Sequence, residues 1–415
     1  MSGNEWISIG ALVALFALAA LRPINIGLLG LAAAFLVGVV AAGLPAKEVL
    51  AGFPGDLFVT VIGITYLFGA ARENGTIDWL VDRAAALVGN RALLMPFLVF
   101  SVAGLLTGLG ALGPAAVAIL APIALRYAAT YRLSPLLMGL ATIHGAQAGA
   151  FSPISVYGSI TNATMARSGM EADPIFLALA SLVFNAAIFG AVYFMLSRCT
   201  RGAYGVEVGS TVSSSSDTPS VKGLDRAQII TLTGLIALAI GALAFRLDIG
   251  LWAVVIAVAI ALASPQADAG LRKVDWSTAL LIAGVVTYVG VMDRLGTIDT
   301  LGETAGLFAA PEMAALIICV IAGVLSAFSS STALLGIVVP LAAPVVLQGN
   351  LSAVGVVCAI AISTTIVDTS PFSTNGAIVV ANAEPEERAV LLRRLLGYTA
   401  LIVAVGPVLA WAIFA

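Results

Sequence analysis

Charge is scarce in this chain. Of its 415 residues only 10% are Asp, Glu, Lys or Arg, the net charge is −3, and there is one histidine. A soluble domain of this length could not clothe its surface with so few charges, and the slightly acidic balance excludes nucleic acid as a partner. Cysteine is nearly absent as well. Cys199, Cys319 and Cys358 are odd in number and scattered, which excludes a disulfide framework or a cysteine metal cluster and leaves them as packing residues. No lysine or arginine falls well inside an apolar run, and no organic cofactor is expected. What is abundant is apolar surface: 60% of residues are hydrophobic and the mean hydropathy is +1.09. That composition fits an all-α polytopic membrane protein.

Apolar segments fall at about 6–21, 24–43, 56–71, 93–126, 134–166 and 173–197, and again at about 227–245, 249–264, 277–293, 311–347, 352–382 and 396–414. The first resembles a signal peptide at Ala17-Leu18-Ala19 but lacks a basic leading region, its only early side-chain charge being Glu5, so it is read as a spanning helix. Between the two sets, residues 201–225 contain VGSTVSSSSDTPSVKG, a tract too poor in apolar residues to pack. The chain therefore divides into an N-terminal unit, 1–200, a linker, 201–225, and a C-terminal unit, 226–415.

The two units are repeats. GITYLFGAARENGTIDWL from Gly63 is echoed by GVVTYVGVMDRLGTIDTL from Gly284, GLLTG from Gly104 by GVLSA from Gly323, Pro122 by Pro340, and Ser152-Pro153 by Ser370-Pro371. Segments 93–126 and 311–347 are each cut near the middle by small or hydroxyl residues. Arms of about 14 residues are short for a bilayer, which predicts re-entrant hairpins and five spans per unit. An odd count inverts one unit relative to the other. All the lysines and arginines except Lys47, Arg167, Arg246 and Arg294 then lie on one side. The positive-inside rule makes that side cytoplasmic, with both termini outside and the linker inside a bacterial-type inner membrane. Two short amphipathic stretches, 76–88 and 297–307, are predicted to lie along the membrane surface.

The stretches GAFSPISVYG, from Gly149, and DTSPFSTNG, from Asp368, interrupt segments 134–166 and 352–382. Proline removes a backbone donor and clashes with the preceding turn, so both helices should break at Pro153 and Pro371. Broken backbone is tolerated at membrane depth only in protein or along a cavity, and paired breaks point to one binding site. Ser152-Pro153 and Ser370-Pro371 are expected to be N-cap plus N1 pairs starting the second half-helices. Gly113-Pro114 and Ser331-Thr332 start the returning hairpin arms. Helix starts hold anions without cationic side chains, and four of them suit two carboxylates. The expected substrate contacts are Gly113, Ser152, Ser155, Ser331, Thr332, Ser370, Ser373, Thr374 and Asn375. Neutral oxygens at Thr107, Gly110, Phe151, Ser326, Ser329, Ser330 and Thr369, with Asp368, suit a hard monovalent cation such as Na+. A carboxylate at membrane depth costs about 2.5 to 3.5 kcal/mol on insertion scales, so Asp368 is functional by default, as a cation ligand, a proton carrier or an acceptor of freed N–H groups. His144 is either a packed, hydrogen-bonded residue or a proton or substrate contact, and Gln147 is a polar contact.

These features together resemble the ion transporter superfamily, which includes the divalent anion/Na+ symporters, and the N-terminal unit is similar to dicarboxylate carriers of the MatC type, associated with malonate. In the symporters each hairpin tip carries Ser-Asn-Thr, matched here at two of three positions by Ser330-Ser331-Thr332 with Ser326 upstream. The first tip departs, with Ala111-Leu112-Gly113 in place of the triplet. The resemblance implies a homodimer with an elevator mechanism importing a small dicarboxylate with Na+. Proton coupling through Asp368 or His144 is the alternative. An anion channel is a remote one, and so is an intramembrane enzyme, to which two carriers on separate half-helices give no support.

Overall fold

The computed structural model describes residues 2–22, 24–88, 91–203, 223–263, 270–308, 310–327 and 331–415. Ser329 and Ser330, and most of the linker, lie outside these. The described residues are helical throughout, and eight of the helices are long and apolar enough to cross a membrane. The protein is a polytopic helical membrane protein.

In the first unit, α1 is Gly3–Leu21, α2 Ile26–Ala33 running on into a π-helical stretch Ala34–Ala41, α3 Ala46–Leu50, α4 Gly55–Glu73 and α5 Thr76–Val88. Next come α6 Met95–Gly108, α7 Gly113–Thr130, α8 Pro135–Gly149, α9 Val156–Arg167 and α10 Pro174–Ala203. The second unit has α11 Arg226–Leu243, α12 Ile249–Ala263, α13 Trp276–Arg294, α14 Thr297–Phe308 and α15 Pro311–Ser326. It ends with α16 Ser331–Gln348, α17 Ala353–Ile366, α18 Thr374–Ala381 and α19 Pro385–Phe414. Local chemistry explains many starts. Ser2 and Glu5 form a capping box before α1, Asp225 and Gln228 one before α11, and Ser134 caps α8 with Pro135 at its first position.

Packing repeats between the units. Helix α2 lies on α13 and α4 on α12. Both crossings are made by glycine: a Cβ on Gly284 would run into the Gly27 carbonyl, and one on Gly63 would sit 2.7 Å from the Gly250 carbonyl oxygen. With little hydrophobic drive between helices in lipid, such close backbone contact is what holds a pair together. The left-handed residues Gly75 (φ +74°) and Gly296 (φ +73°) turn the chain from α4 into α5 and from α13 into α14, which is why Gly-Thr-Ile-Asp recurs.

The second bundle is built from α6, α7, α8 and α10 with α15, α16, α17 and α19. Helix α6 lies on α8, and α15 lies on α17. The hairpin arms differ from expectation in length: α6 has 14 residues, but α7 and α16 have 18 each, enough to span by length. Polar Arg126, Tyr127 and Thr130 lengthen α7 beyond its apolar part, where hydropathy alone ended it. The depth of each tip is therefore better judged from what it touches.

Candidate functional site

Helix α8 ends at Gly149 and α9 begins at Val156; α17 ends at Ile366, with one 3-10 turn, Val367–Thr369, before α18 begins at Thr374. Both broken stretches share the pattern Ser-Pro-X-Ser-X-X-Gly. Its parts have separate jobs. The second serine, not the first, is the N-cap: Ser155 accepts from the Gly158 N–H at 3.0 Å, and Ser373 stands in the same place before α18. The expectation that Ser152 and Ser370 are the caps, with the prolines at N1, is thus corrected. Those prolines sit inside the turn, where a missing N–H costs nothing, whereas in a true cap such as Ser134-Pro135 the helix starts at once.

The first serines instead brace the turn, Ser152 accepting from Ile154 N at 3.4 Å and Ser370 from Phe372 N at 3.2 Å. Ser155 also donates to the carbonyls of Ala150 and Ser152, and Ser373 to those of Asp368 (2.7 Å) and Ser370 (2.8 Å). Their hydroxyl protons are thus committed to the backbone. Gly158 and Gly376 close the pattern, because a Cβ on either would collide with the Ser152 or Ser370 carbonyl.

Each hairpin tip meets a break. At the first, Gly110 (φ +124°) packs so closely that an added Cβ would lie 3.3 Å from the Ile154 carbonyl oxygen, and Gly113 faces the Asn375 amide at the start of α18. At the second, the Ser331 hydroxyl donates to Asp368 Oδ1 at 2.6 Å and lies 3.0 Å from Ser326 Oγ. Thr332, in the first turn of α16, lies beside Tyr157, on the first turn of α9. The returning arms cross over between units, α7 packing on α18 and α16 on α9. Four helix starts, α7, α9, α16 and α18, are thereby drawn to one junction.

Two of the expected cation ligands, Ser326 and Asp368, are joined through Ser331, which was expected to contact substrate, and the buried Thr369 beside them has a hydroxyl with no partner among the described residues. A carboxylate, two hydroxyls and an orphan hydroxyl are hard oxygen donors suited to Na+. At the first tip Thr107 spends its hydroxyl on the Ala103 carbonyl at 3.1 Å, Phe151 is buried with its ring 6.0 Å from that of Tyr157, and Ala150 stands where the second break has Asp368. Thr374 is exposed, whereas Asn375 is buried and its Oδ1 has no partner among the described residues.

His144 stands apart from this cluster in its bonding. Its Nδ1 meets Asn185 Oδ1 at 3.1 Å and its Nε2 meets the Tyr398 hydroxyl at 2.6 Å, tying α8 to α10 and α19. Both ring nitrogens are satisfied, which supports the packed reading over a substrate contact. Gln147 donates to the Thr365 carbonyl at 2.6 Å, joining the two broken helices, and its Oε1 is left unpartnered. Sequence reasoning missed Tyr157, Asn185 and Tyr398, and also Thr161 and Thr164, buried on α9 with orphan hydroxyls. Only the hydroxyl spacing along VYGSITNATMARS could have pointed to the last two.

Two cavities lie away from the junction, near opposite ends of α4. One, of about 360 Å³, is bounded by α9, α13, α14 and α16 and includes Gly52, Arg167 and Arg294. The other, of about 520 Å³, lies between α4, α5 and α7 and includes Arg72, Asp78, Pro122 and Lys273. Neighbouring ion pairs, Arg167 with Asp56 and Lys273 with Glu73 (3.3 Å), join residues at the same ends of the helices.

A helical membrane protein with helix starts converging on a buried carboxylate has the anatomy of a solute carrier. Residues 1–150 match the family model described as dicarboxylate carrier protein MatC N-terminus. The matched part runs from α1 to the end of α8 and stops at the first break. This similarity points to a transporter rather than an enzyme. No curated protein matches the chain.

Proposed function

We propose that the protein is a secondary active transporter that imports a small dicarboxylate, with malonate the leading candidate, by symport with Na+. The observation that carries this is the crossed junction: each returning arm packs on the second half-helix of the opposite unit, so four N-termini face one region beside a carboxylate. Unpaired N–H groups there would receive the two substrate carboxylates, with Gly113 and Asn375 on one side and Ser331 and Thr332 on the other. The cation is held at Ser326, Ser331, Asp368 and Thr369, where it offsets the substrate's charge. Matching α2–α13 and α4–α12 crossings favour two inverted repeats, and tips that meet helix breaks favour re-entrant hairpins. In this reading the α2, α4, α12, α13 group is a fixed frame beside a moving bundle in each subunit of a homodimer, with the linker cytoplasmic.

Proteoliposomes test it with a panel of C3 to C5 dicarboxylates under an imposed Na+ gradient. Accumulation of malonate driven by that gradient is expected, and its loss in Ser331→Ala and Ser370→Ala with folding intact. Uptake indifferent to Na+ defeats the cation assignment, and no uptake of any diacid defeats the substrate class. One observation favours proton coupling instead: Ser331 is the one side-chain donor to Asp368 among the described residues, so a protonated carboxyl would also be stable there. A pH gradient replacing the Na+ gradient distinguishes the two.

A further inference from the structure

Most buried threonines in these helices follow one rule, which Thr399 on α19 breaks singly and α9 breaks twice within one turn. Thr60, Thr65, Thr142, Thr287, Thr364 and Thr365 each return the hydroxyl to the carbonyl four residues back. That is the ordinary way to satisfy a hydroxyl in an apolar setting. On α9, the buried Thr161 and Thr164 do not, and their Oγ1 atoms have no partner among the described residues. An unpaired buried hydroxyl costs free energy, so two on one short helix ask for an occupant.

Their placement supplies one. At about 100° per residue, Tyr157, Thr161, Thr164 and Ser168 fall on one stripe of α9, while the helix's other orphan atoms, Ser159 Oγ and Asn162 Oδ1, lie on the opposite flank. The stripe starts at Tyr157, beside Thr332 at the junction. About 10 Å further along the axis it reaches Thr164, which with Ser168 lines the 360 Å³ cavity. Arg167 and Arg294 line that cavity beside Asp293 and Asp299, so its charges balance and nothing in its lining would trap an anion. The corresponding helix of the second unit carries Asn375 and Asn382 at the positions matching Tyr157 and Thr164, but its stripe is interrupted between them. On α18 the position matching Thr161 is Val379, fully buried and pressed against Gly139.

We infer that the Tyr157, Thr161, Thr164, Ser168 face of α9 is a one-sided hydrophilic track along which small anionic solute and its water pass between the cavity at Arg294 and the junction. This rests on the transporter reading above. Single cysteines test it without relying on transport. Thr161→Cys and Thr164→Cys, compared with Val379→Cys and with the unsubstituted chain as the blank, are exposed to an anionic, membrane-impermeant methanethiosulfonate in sealed vesicles of both orientations. Glu171→Cys, in the exposed turn after α9, marks the face on which the cavity opens. Both track cysteines are expected to react from the Glu171 face and Val379→Cys to stay inert. Inert track cysteines from both faces, or equal reaction at Val379→Cys, overturns the track.

A second measurement separates passage from folding. Thr161→Val with Thr164→Val keeps the shape and removes the orphan hydroxyls, so the melting temperature is expected to hold or rise. Dicarboxylate uptake is expected to fall about tenfold with equilibrium binding unchanged. Unchanged uptake overturns the track, whereas labelled cysteines in a protein that moves no dicarboxylate overturn the transporter reading and leave the track standing.

Discussion

The two helix breaks share a backbone and differ in chemistry. Both are Ser-Pro-X-Ser-X-X-Gly turns with a braced first serine, a second serine at the cap and a glycine under a carbonyl. Around the second stand Ser326, Ser331, Asp368 and the unpartnered Thr369; around the first stand Gly110, Ala150 and a Thr107 already bonded to its own helix. The two breaks thus offer like-built helix starts, and only the second has a carboxylate in its turn, at Asp368 where the first has Ala150. In the proposed reading, the shared backbone receives the anion and the second unit alone holds the cation or proton.

The sharpest way to break that comparison is Asp368→Asn. A hydrogen bond to a charged group contributes about 1.5 to 3 kcal/mol, so a 10- to 100-fold loss of driven uptake is expected with the asparagine still filling the space. Substrate exchange without a driving gradient should survive if the carboxylate serves coupling alone. The mirror change, Ala150→Asp, places an unpaired carboxylate in the first unit and is expected to destabilise the protein by about 2.5 to 3.5 kcal/mol without adding a coupling site. If Ala150→Asp rescued Asp368→Asn, the asymmetry would be an accident of position.

Glycine tests the shared half of the comparison. Gly158→Ala and Gly376→Ala each force a Cβ against a turn carbonyl, and overpacking of this kind costs about 1 to 3 kcal/mol. Thermal unfolding in detergent should report losses of similar size at the two positions. A large effect at one and none at the other would show that the turns are not equivalent.

Much of this was legible before any coordinates. The recurrence of Gly-Thr-Ile-Asp pointed to two like-built segments, each turned by a left-handed glycine, and Ser152-Pro153 and Ser370-Pro371 marked two breaks, because these signals act through local backbone chemistry. Which serine caps was not legible, since Ser134-Pro135 and Ser152-Pro153 are the same dipeptide with different outcomes. The difference lies in the backbone following each proline: helical at once after Ser134, but a tight turn closed by Gly158 after Ser152. Nor could composition tell Thr161 from Thr142. Whether a threonine bonds its own helix depends on its rotamer and on what lies across from it, and those neighbours come from distant sequence.

His144 shows the same limit, and it carries the smallest expected effect. Its partners lie 41 and 254 residues away, and its counterpart in the second unit is Ile362, so the histidine too belongs to one unit only. Tyr398→Phe removes the hydroxyl bonded to Nε2 and nothing else. If the histidine is a strut between α8, α10 and α19, stability should fall by about 1 kcal/mol and uptake should keep its dependence on pH and Na+. A proton pathway through the pair would instead show as an altered pH profile at unchanged stability. Because the hydroxyl is small compared with the ring it sits on, packing is preserved and the two outcomes separate cleanly: a shift in the melting curve assigns His144 to the frame of the bundle, and a shift in the pH profile assigns it a part in proton coupling.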